Sequence, residues 1–193
     1  MTKDTQTASS RSLVEALVEA GYRGLFMSLG SDRVDELWNE HGLAGFSALL
    51  ADPAIDDQAR FLAAEVVYRV NNDWPENAPL DLLAAAYAAA LANDYIGAAN
   101  PWGLPETLGV VSLHVLEMGQ AATPHFLALL DDDTPVQYAG SEGATIGNRY
   151  RYRVKDIAAF LVSCIEMSAY GVSEDPDERD RRIEALRERL VSP

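Results

Sequence analysis

The residues best able to do chemistry fall between positions 131 and 156. Asp131, Asp132 and Asp133 stand in a row, Glu142 follows, and Arg149, Arg151 and Arg153 alternate just before Asp156. Carboxylates and guanidiniums this close suit two jobs. They can close an intramolecular clasp in which the acid run pairs with the arginines, and this is the weightier reading, because ion pairs more often build structure than chemistry. Alternatively, one or two arginines stay free to grip a carboxylate or phosphate, which a planar guanidinium fork matches. A small enzyme at this place would use Asp132, Glu142, Arg149 and Arg153, with His125 as base. A metal at Asp131–Asp133 is the weaker idea, since three adjacent acids lack the alternating spacing and glycine of a calcium loop.

Elsewhere the chemical signal is thin. His114 and His125 flank Gly119 and would meet across a hairpin, but two histidines without a third ligand make a poor zinc site. Core or rim positions are expected for both. Cys164 lies on an apolar helix stripe, so a buried, inert thiol is expected. There is no Ser-His-Asp order, glycine-rich phosphate loop or Cys-x-x-Cys motif. No catalytic residue, metal or cofactor is therefore assigned. Trp74 and Trp102 sit in loops beside Pro75 and Pro101. Exposed tryptophans are enriched at interfaces, although each could instead cover a hairpin end. With Tyr138, they complete a candidate binding surface of Trp74, Trp102, Asp132, Tyr138, Glu142, Arg149, Arg151 and Arg153.

Helices must position these groups. The stretch Glu106–Met167 reads as a helix Glu106–Met118, a turn at Gly119, a helix Thr123–Leu130, a polar insert, and a third helix from about Asn148 to Ser168. Asn148–Lys155 also alternates with period two and could form a strand. Tyr150, Val154, Ile157, Leu161 and Cys164, however, step by four and three, the core stripe of one continuous helix. Arg149, Arg151 and Arg153 would then lie in its first turns, where positive charge opposes the helix dipole.

Upstream, residues 1–9 read as a loose tail. Ser10 or Ser12 caps a helix to about Ala20, interrupted by Gly21 and Gly24. Ser31–Asp32 caps a second helix that Gly42 ends. Leu43–Ala51 follows and stops at Asp52–Pro53. Asp56 or Asp57 caps a helix to about Val70, Asn71–Pro75 turns, and an alanine-rich helix runs from Pro79 or Leu80 to about Asn93. Asp94–Pro105 is a loop. At the C-terminus Asp175 caps, Pro176 takes the first helical position, and Ile183, Leu186 and Leu190 form one apolar stripe.

Composition bounds the rest. Apolar residues make up 48% of 193 residues, enough for a globular core. No run is long enough to span a bilayer, Leu80–Ala92 being too short. The polar Met1–Ser10 shows no secretory signal, and a single cysteine forbids an internal disulfide, so a cytoplasmic location is expected. A net charge of −15 repels phosphate backbones and anionic surfaces, which argues against nucleic acid and favours a basic protein partner. It also serves plain solubility. Lys3 and Lys155 are the only lysines, a pattern that GC-rich coding and a halophilic source both produce.

A short internal match organises the middle. Phe46-Ser-Ala-Leu-Leu-Ala-Asp recurs 80 residues on as Phe126-Leu-Ala-Leu-Leu-Asp-Asp. Phe61–Leu62 recurs 99 residues on as Phe160–Leu161, so the second copy carries 19 extra residues within Asp132–Tyr152. Eighty is twice the roughly 40-residue period of HEAT or armadillo arrays. Over about Asp32–Met167 the chain resembles HEAT-like repeats. The insert Pro135–Gly147 resembles a loop of uncharacterised bacterial HEAT-like proteins, which implies no activity.

The resemblance implies an all-α fold, a short α-α superhelix of about four helical hairpins. One domain would span 1–193, with residues 133–147 as an inserted loop and the C-terminal helix closing one end. It also implies an interaction or scaffold module, since such arrays present extended surfaces without built-in chemistry. A sharper version is an acidic inhibitor or immunity-type protein masking a basic partner. The alternatives are the small enzyme at 131–156 and a domain that works only when fused to others.

Overall fold

The computed structural model describes residues 3–28, 32–74, 77–105 and 107–191, with side chains outside the description at 3–11, 142–144, 146, 148 and 191. The class is all-α, with one two-stranded hairpin. Among the described residues, no helix is long and apolar enough to cross a membrane. The chain divides into two compact units, 1–90 and 91–193.

In the first unit, α1 (Lys3–Tyr22) begins inside the stretch expected to be a loose tail and buries Leu13 and Leu17. Gly21 takes φ 60°, a conformation L side chains resist, and the chain passes into a π-helical turn, Arg23–Met27. Gly24 lies within that turn. Gly42 does the same to α2 (Arg33–Ala51), bending it at φ 58° between the buried Val34 and Leu37 and the buried Phe46, Leu49 and Leu50. Ser31 lies outside the described residues, and Asp32 makes no side-chain cap; only its carbonyl accepts, from Glu36 N at 2.8 Å.

Helix α3 (Asp57–Asn71) is the centre of this unit. The Asp56 carboxylate caps it, accepting from Ala59 N at 2.9 Å, and Asn72 ends it in the left-handed region. Every residue from Ala59 to Val67 is buried, with α1 and α2 packed against them. Phe46 and Phe61 are each 0% exposed, and such burial contributes roughly 1.5–3 kcal/mol per side chain. Arg60 is also buried; its guanidinium donates to the carbonyls of Leu50 and Asp52, satisfying the end of α2. Helix α4 (Leu80–Ala92) places Tyr87 so that its hydroxyl donates to the buried Glu65 carboxylate.

In the second unit a hairpin of β1 (Gly103–Leu104) and β2 (Thr107–Leu108) leads into α5 (Val110–Met118). The helix expected from Glu106 thus begins at Val110, because Thr107–Leu108 pairs back on Gly103–Leu104; Glu106 lies outside the described residues. Gly103 has φ +76°, and a Cβ there would lie 2.1 Å from Gly109 N, so only glycine closes this turn. Gly119 ends α5 at φ 56°, as its type predicts. Helix α6 (Thr123–Leu127) is shorter than the expected Thr123–Leu130, giving way to successive turns.

The expected continuous helix over 148–168 is two helices. Helix α7 (Gly140–Tyr150) ends at Arg151, which turns left-handed (φ 51°, ψ 53°), and α8 (Val154–Ile165) restarts after Arg153. Between them the chain is extended and bridges the segment before α7. Val136 N donates to Tyr152 O at 3.0 Å and Val154 N to Thr134 O at 2.9 Å. This is a single bridge at Pro135 and Arg153, not a ribbon. The insert is accordingly half helix: residues 140–147 form most of α7. Helix α8 buries Val154, Ile157, Ala158, Leu161 and Val162, and α5, α6 and α9 (Pro176–Val191) pack on it. Ile183 and Leu186 of α9 are the buried part of its stripe. Of the repeated pair, Phe126 is fully buried like Phe46, but Phe160 is only half-buried where Phe61 is 0% exposed.

Candidate functional site

No lysine or arginine occurs between Arg69 and Arg149, so every cation of the second unit lies between 149 and 189. The end of α7, the start of α8, and α9 therefore hold all of that unit's positive charge. The centre of the cluster is Asp156, 1% exposed. Its carboxylate accepts from Arg153 at three points: backbone N at 2.9 Å, Nε at 3.0 Å and Nη2 at 2.9 Å. The backbone contact caps α8, and the acid suits the positive end of its dipole.

Arg179 approaches the same carboxylate from α9. Its Nε lies 3.1 Å from Asp156 Oδ1, at an angle that makes an ion pair rather than a hydrogen bond. Arg179 is itself 1% exposed. Its Nη1 donates to Ser173 O and Glu174 O at 2.9 and 3.0 Å, its Nη2 to Arg151 O at 3.3 Å, and its guanidinium carbon lies 5.4 Å from the Tyr152 ring centre. One side chain thus ties the α7–α8 junction, the irregular segment before α9 and α9 itself.

A second layer is more exposed. Arg153 reaches Asp180 at 2.8 Å and Asp133 at 3.2 Å, and Lys155 reaches the same two acids at 3.0 and 2.7 Å. Arg187 pairs with Asp131 at 2.9 Å. Three cations (Arg153, Lys155, Arg179) thus face three acids (Asp133, Asp156, Asp180). The charges fix one another. The hydrogen bond from Lys155 holds the Asp133 carboxyl below its usual range. Partial burial pushes Asp180 up, but hydrogen bonds from Arg153 and Lys155 more than offset it, leaving a net lowering.

Of the clasp expected between the acid run and Arg149, Arg151 and Arg153, one pair forms among the described residues, Asp133 with Arg153; Asp131 pairs instead with Arg187 of α9, a partner the spacing did not announce. The candidate residues divide as follows. Arg149 stands in the last turn of α7, not the first turns of a helix, so its charge suits the dipole; it pairs with Glu174. Arg153 is spent within the clasp. Asp132 shapes a turn, its Oδ1 accepting from Thr134 N at 2.9 Å and its carbonyl from Lys155 N at 3.0 Å. The Glu142 side chain lies outside the described residues. Trp102 is buried (3% exposed) beside Phe126, not exposed, because the hairpin folds it inward. Trp74, in the first unit, is half-buried against Tyr68 and Tyr87; Pro75 lies outside the described residues. Cys164 is half-buried rather than buried, and burial raises its thiol.

Tyr138 and Arg151 remain, and one cleft brings them together. It has a volume of about 580 Å³ and is lined by Gln137, Tyr138, Arg151, Tyr152, Arg153 and Pro176, among others. Tyr138 is half-buried, its hydroxyl donating to Gly103 O at 3.1 Å, and its burial raises the phenol. Gly147 of α7 also lines the cleft, and a Cβ there would come within 3.1 Å of the Tyr138 ring. Arg151 is exposed and, among the described residues, makes no ion pair. No histidine lines this cleft: His125 stands in α6 and His114 is buried in α5. Tyr138 also lines a cavity of about 500 Å³ with Asn100, Gly103 and Ser141, a neutral set. Among the described residues, no group of three His, Cys, Asp or Glu side chains is placed to hold a metal ion. The cleft offers two cations (Arg151 and Arg153), the Asp133 carboxylate, two phenols and an amide, Arg153 and Asp133 being already paired with each other. That set can bind and orient a ligand, but it pairs no nucleophile with a base.

Comparison with known protein families, curated proteins and solved structures finds no match to this chain.

Proposed function

We propose that this chain is a protein-interaction module, a short HEAT-like helical array whose partner is basic, an inhibitor or immunity-type mask being the specific form. The observation that carries the reading is the disposition of charge. In the second unit Arg149, Arg153, Lys155, Arg179 and Arg187 are each paired internally with a carboxylate. Acids such as Glu15, Glu19 and Asp35 of the first unit stand exposed. A chain of net charge −15 whose cations are largely neutralised within itself projects a negative field, which draws in cations and repels phosphates. Extended helical surfaces without a nucleophile suit recognition rather than turnover.

The test is a binding isotherm. A basic protein captured by the full chain from its native host at low salt is purified, and its affinity is measured by calorimetry at low and at physiological ionic strength. Surface charges are largely screened beyond about 10 Å at 0.1 M salt, so affinity is expected to fall at least tenfold. Association that ignores salt, or a captured partner that is acidic, overturns the reading.

A further inference from the structure

We propose that the cleft beside Arg151 is a carboxylate site: it takes a ligand carrying one carboxylate on a flat apolar body. This goes beyond the basic-partner reading and does not depend on it. Among its sequence neighbours Arg151 is the exception. Arg149, Arg153 and Lys155 each hold a carboxylate, whereas Arg151 is exposed without one among the described residues.

Its root is held firmly. Arg151 N donates to Gly147 O at 2.8 Å, and Arg151 O accepts from the buried Arg179. A cation fixed at its backbone loses less freedom when it engages a ligand. Its neighbour cannot compete for the ligand, since Nε, Nη1 and Nη2 of Arg153 already donate to Asp156, Asp133 and Asp180.

The walls argue for the body of the ligand. Tyr138, Tyr152 and Pro176 give the cleft flat apolar surface, and Gln137 adds a neutral polar group; the Asp133 carboxylate also lines it, its charge offset by Lys155 at 2.7 Å and Arg153 at 3.2 Å. Its volume of about 580 Å³ lies in the range of small-molecule sites. The charge argues for a single carboxylate. One uncommitted guanidinium matches one carboxylate through its two-pronged fork. A polyphosphate would bring several negative charges against one cation, in a chain already at −15. Two sources share this chemistry, a free aromatic acid and the C-terminal carboxylate of a peptide.

The experiment uses the full chain labelled with ¹⁵N, and amide shifts are followed as probes are added. Benzoate is compared with benzamide, its uncharged counterpart. N-acetyl-Ala-Ala-Phe is compared with the same peptide amidated at its C-terminus. Benzoate is expected to shift the amides of Gln137, Tyr138, Gly147, Arg151 and Tyr152 saturably, with benzamide at least tenfold weaker. Arg151→Gln is expected to weaken benzoate at least tenfold, while Arg189→Gln, whose arginine lines a different cavity, leaves it unchanged. A peptide that binds only with a free carboxylate points to a protein tail as the source; binding of benzoate alone points to a small acid. Equal binding of benzamide, binding unaltered in Arg151→Gln, or no saturable shift with either acid overturns the proposal. Neither Arg151 variant nor probe touches the salt dependence that tests the basic-partner reading, so the two fail separately.

Discussion

Replacing Arg179 with methionine should loosen the second unit far more than removing any exposed arginine of the same helix. Methionine keeps most of the stem volume but deletes the guanidinium. Three donations disappear, to Ser173, Glu174 and Arg151 at 2.9, 3.0 and 3.3 Å, together with the Asp156 ion pair at 3.1 Å. Breaking a buried pair from one side costs about 3–5 kcal/mol. Asp156 still keeps its three contacts to Arg153, so the lower end, about 3 kcal/mol, is expected. For a chain of this size about 1 kcal/mol moves the melting point by roughly 2–4 °C, giving a fall of about 6–12 °C. Arg187→Ala is the internal control. Its pair with Asp131 has side chains 32% and 83% exposed, and such pairs contribute about 1 kcal/mol at most. Urea and thermal unfolding, followed by far-ultraviolet circular dichroism, measure both. If Arg179→Met costs no more than Arg187→Ala, Arg179 does not key α9 to the junction.

Acid should release the outer layer of the clasp. Asp133 and Asp180 titrate below their usual 3.8 in the folded chain, so their contribution is intact above that pH and is lost as pH falls beneath it. Unfolding by urea below about pH 4 should therefore show reduced stability in the wild type and a smaller pH slope in Asp133→Asn/Asp180→Asn; identical slopes refute this. Alkali should act through tyrosine. Burial pushes Tyr170 up to about 12, Tyr22 and Tyr138 further, and Tyr87 well above its usual 10.0, so stability is full below pH 10 and declines above it. Absorbance at 295 nm should show these four of eight tyrosines ionising only as helix signal is lost; complete titration near pH 10 with helices intact contradicts it. Trp102→Ala should act on stability rather than on binding, costing about 3–5 kcal/mol by unfolding, because the indole is 3% exposed; a variant as stable as the wild type refutes its core role.

Local chemistry made much of the helix layout legible. Gly21, Gly42 and Gly119 stand at φ 60°, 58° and 56°, where glycine interrupts or ends a helix. Asp56 caps α3, and Asp175 accepts from Asp177 N at 3.0 Å beside Pro176, the first residue of α9. The break at Arg151 was hidden because the four-and-three stripe runs straight across it: Val154, Ile157 and Leu161 belong to α8, while Tyr150 closes α7. The period-two alternation was the truer signal there, since the helix breaks at the left-handed Arg151 and the chain bridges Pro135 at Arg153, with Tyr152 buried and Arg151 exposed. What stops the helix is tertiary. Arg179 on the Arg151 carbonyl and the bridge to Pro135 are contacts no local window contains.

Buried arginines were the second blind spot. Arg60 satisfies carbonyls at the end of α2, and Arg179 the carbonyl of Arg151 at the end of α7 together with two in the irregular segment before α9. Their sequence neighbourhoods read as solvated helix faces, because pairing partners and burial arise only once the helices meet. The candidate surface divides for the same reason: Arg153 and Asp132 serve the fold, Trp102 serves the core, and Tyr138 with Arg151 remains at the cleft.

Hydrogen–deuterium exchange on the intact chain, wild type against Arg179→Met, tests most directly whether one buried guanidinium binds the junction, the extended segment and α9 together. The expected result is a joint loss of protection at Val136, Arg151, Val154 and the amides of α9, with α3 in the first unit unchanged. Faster exchange confined to α9, with the bridge between residues 134–136 and 152–154 still protected, would contradict it.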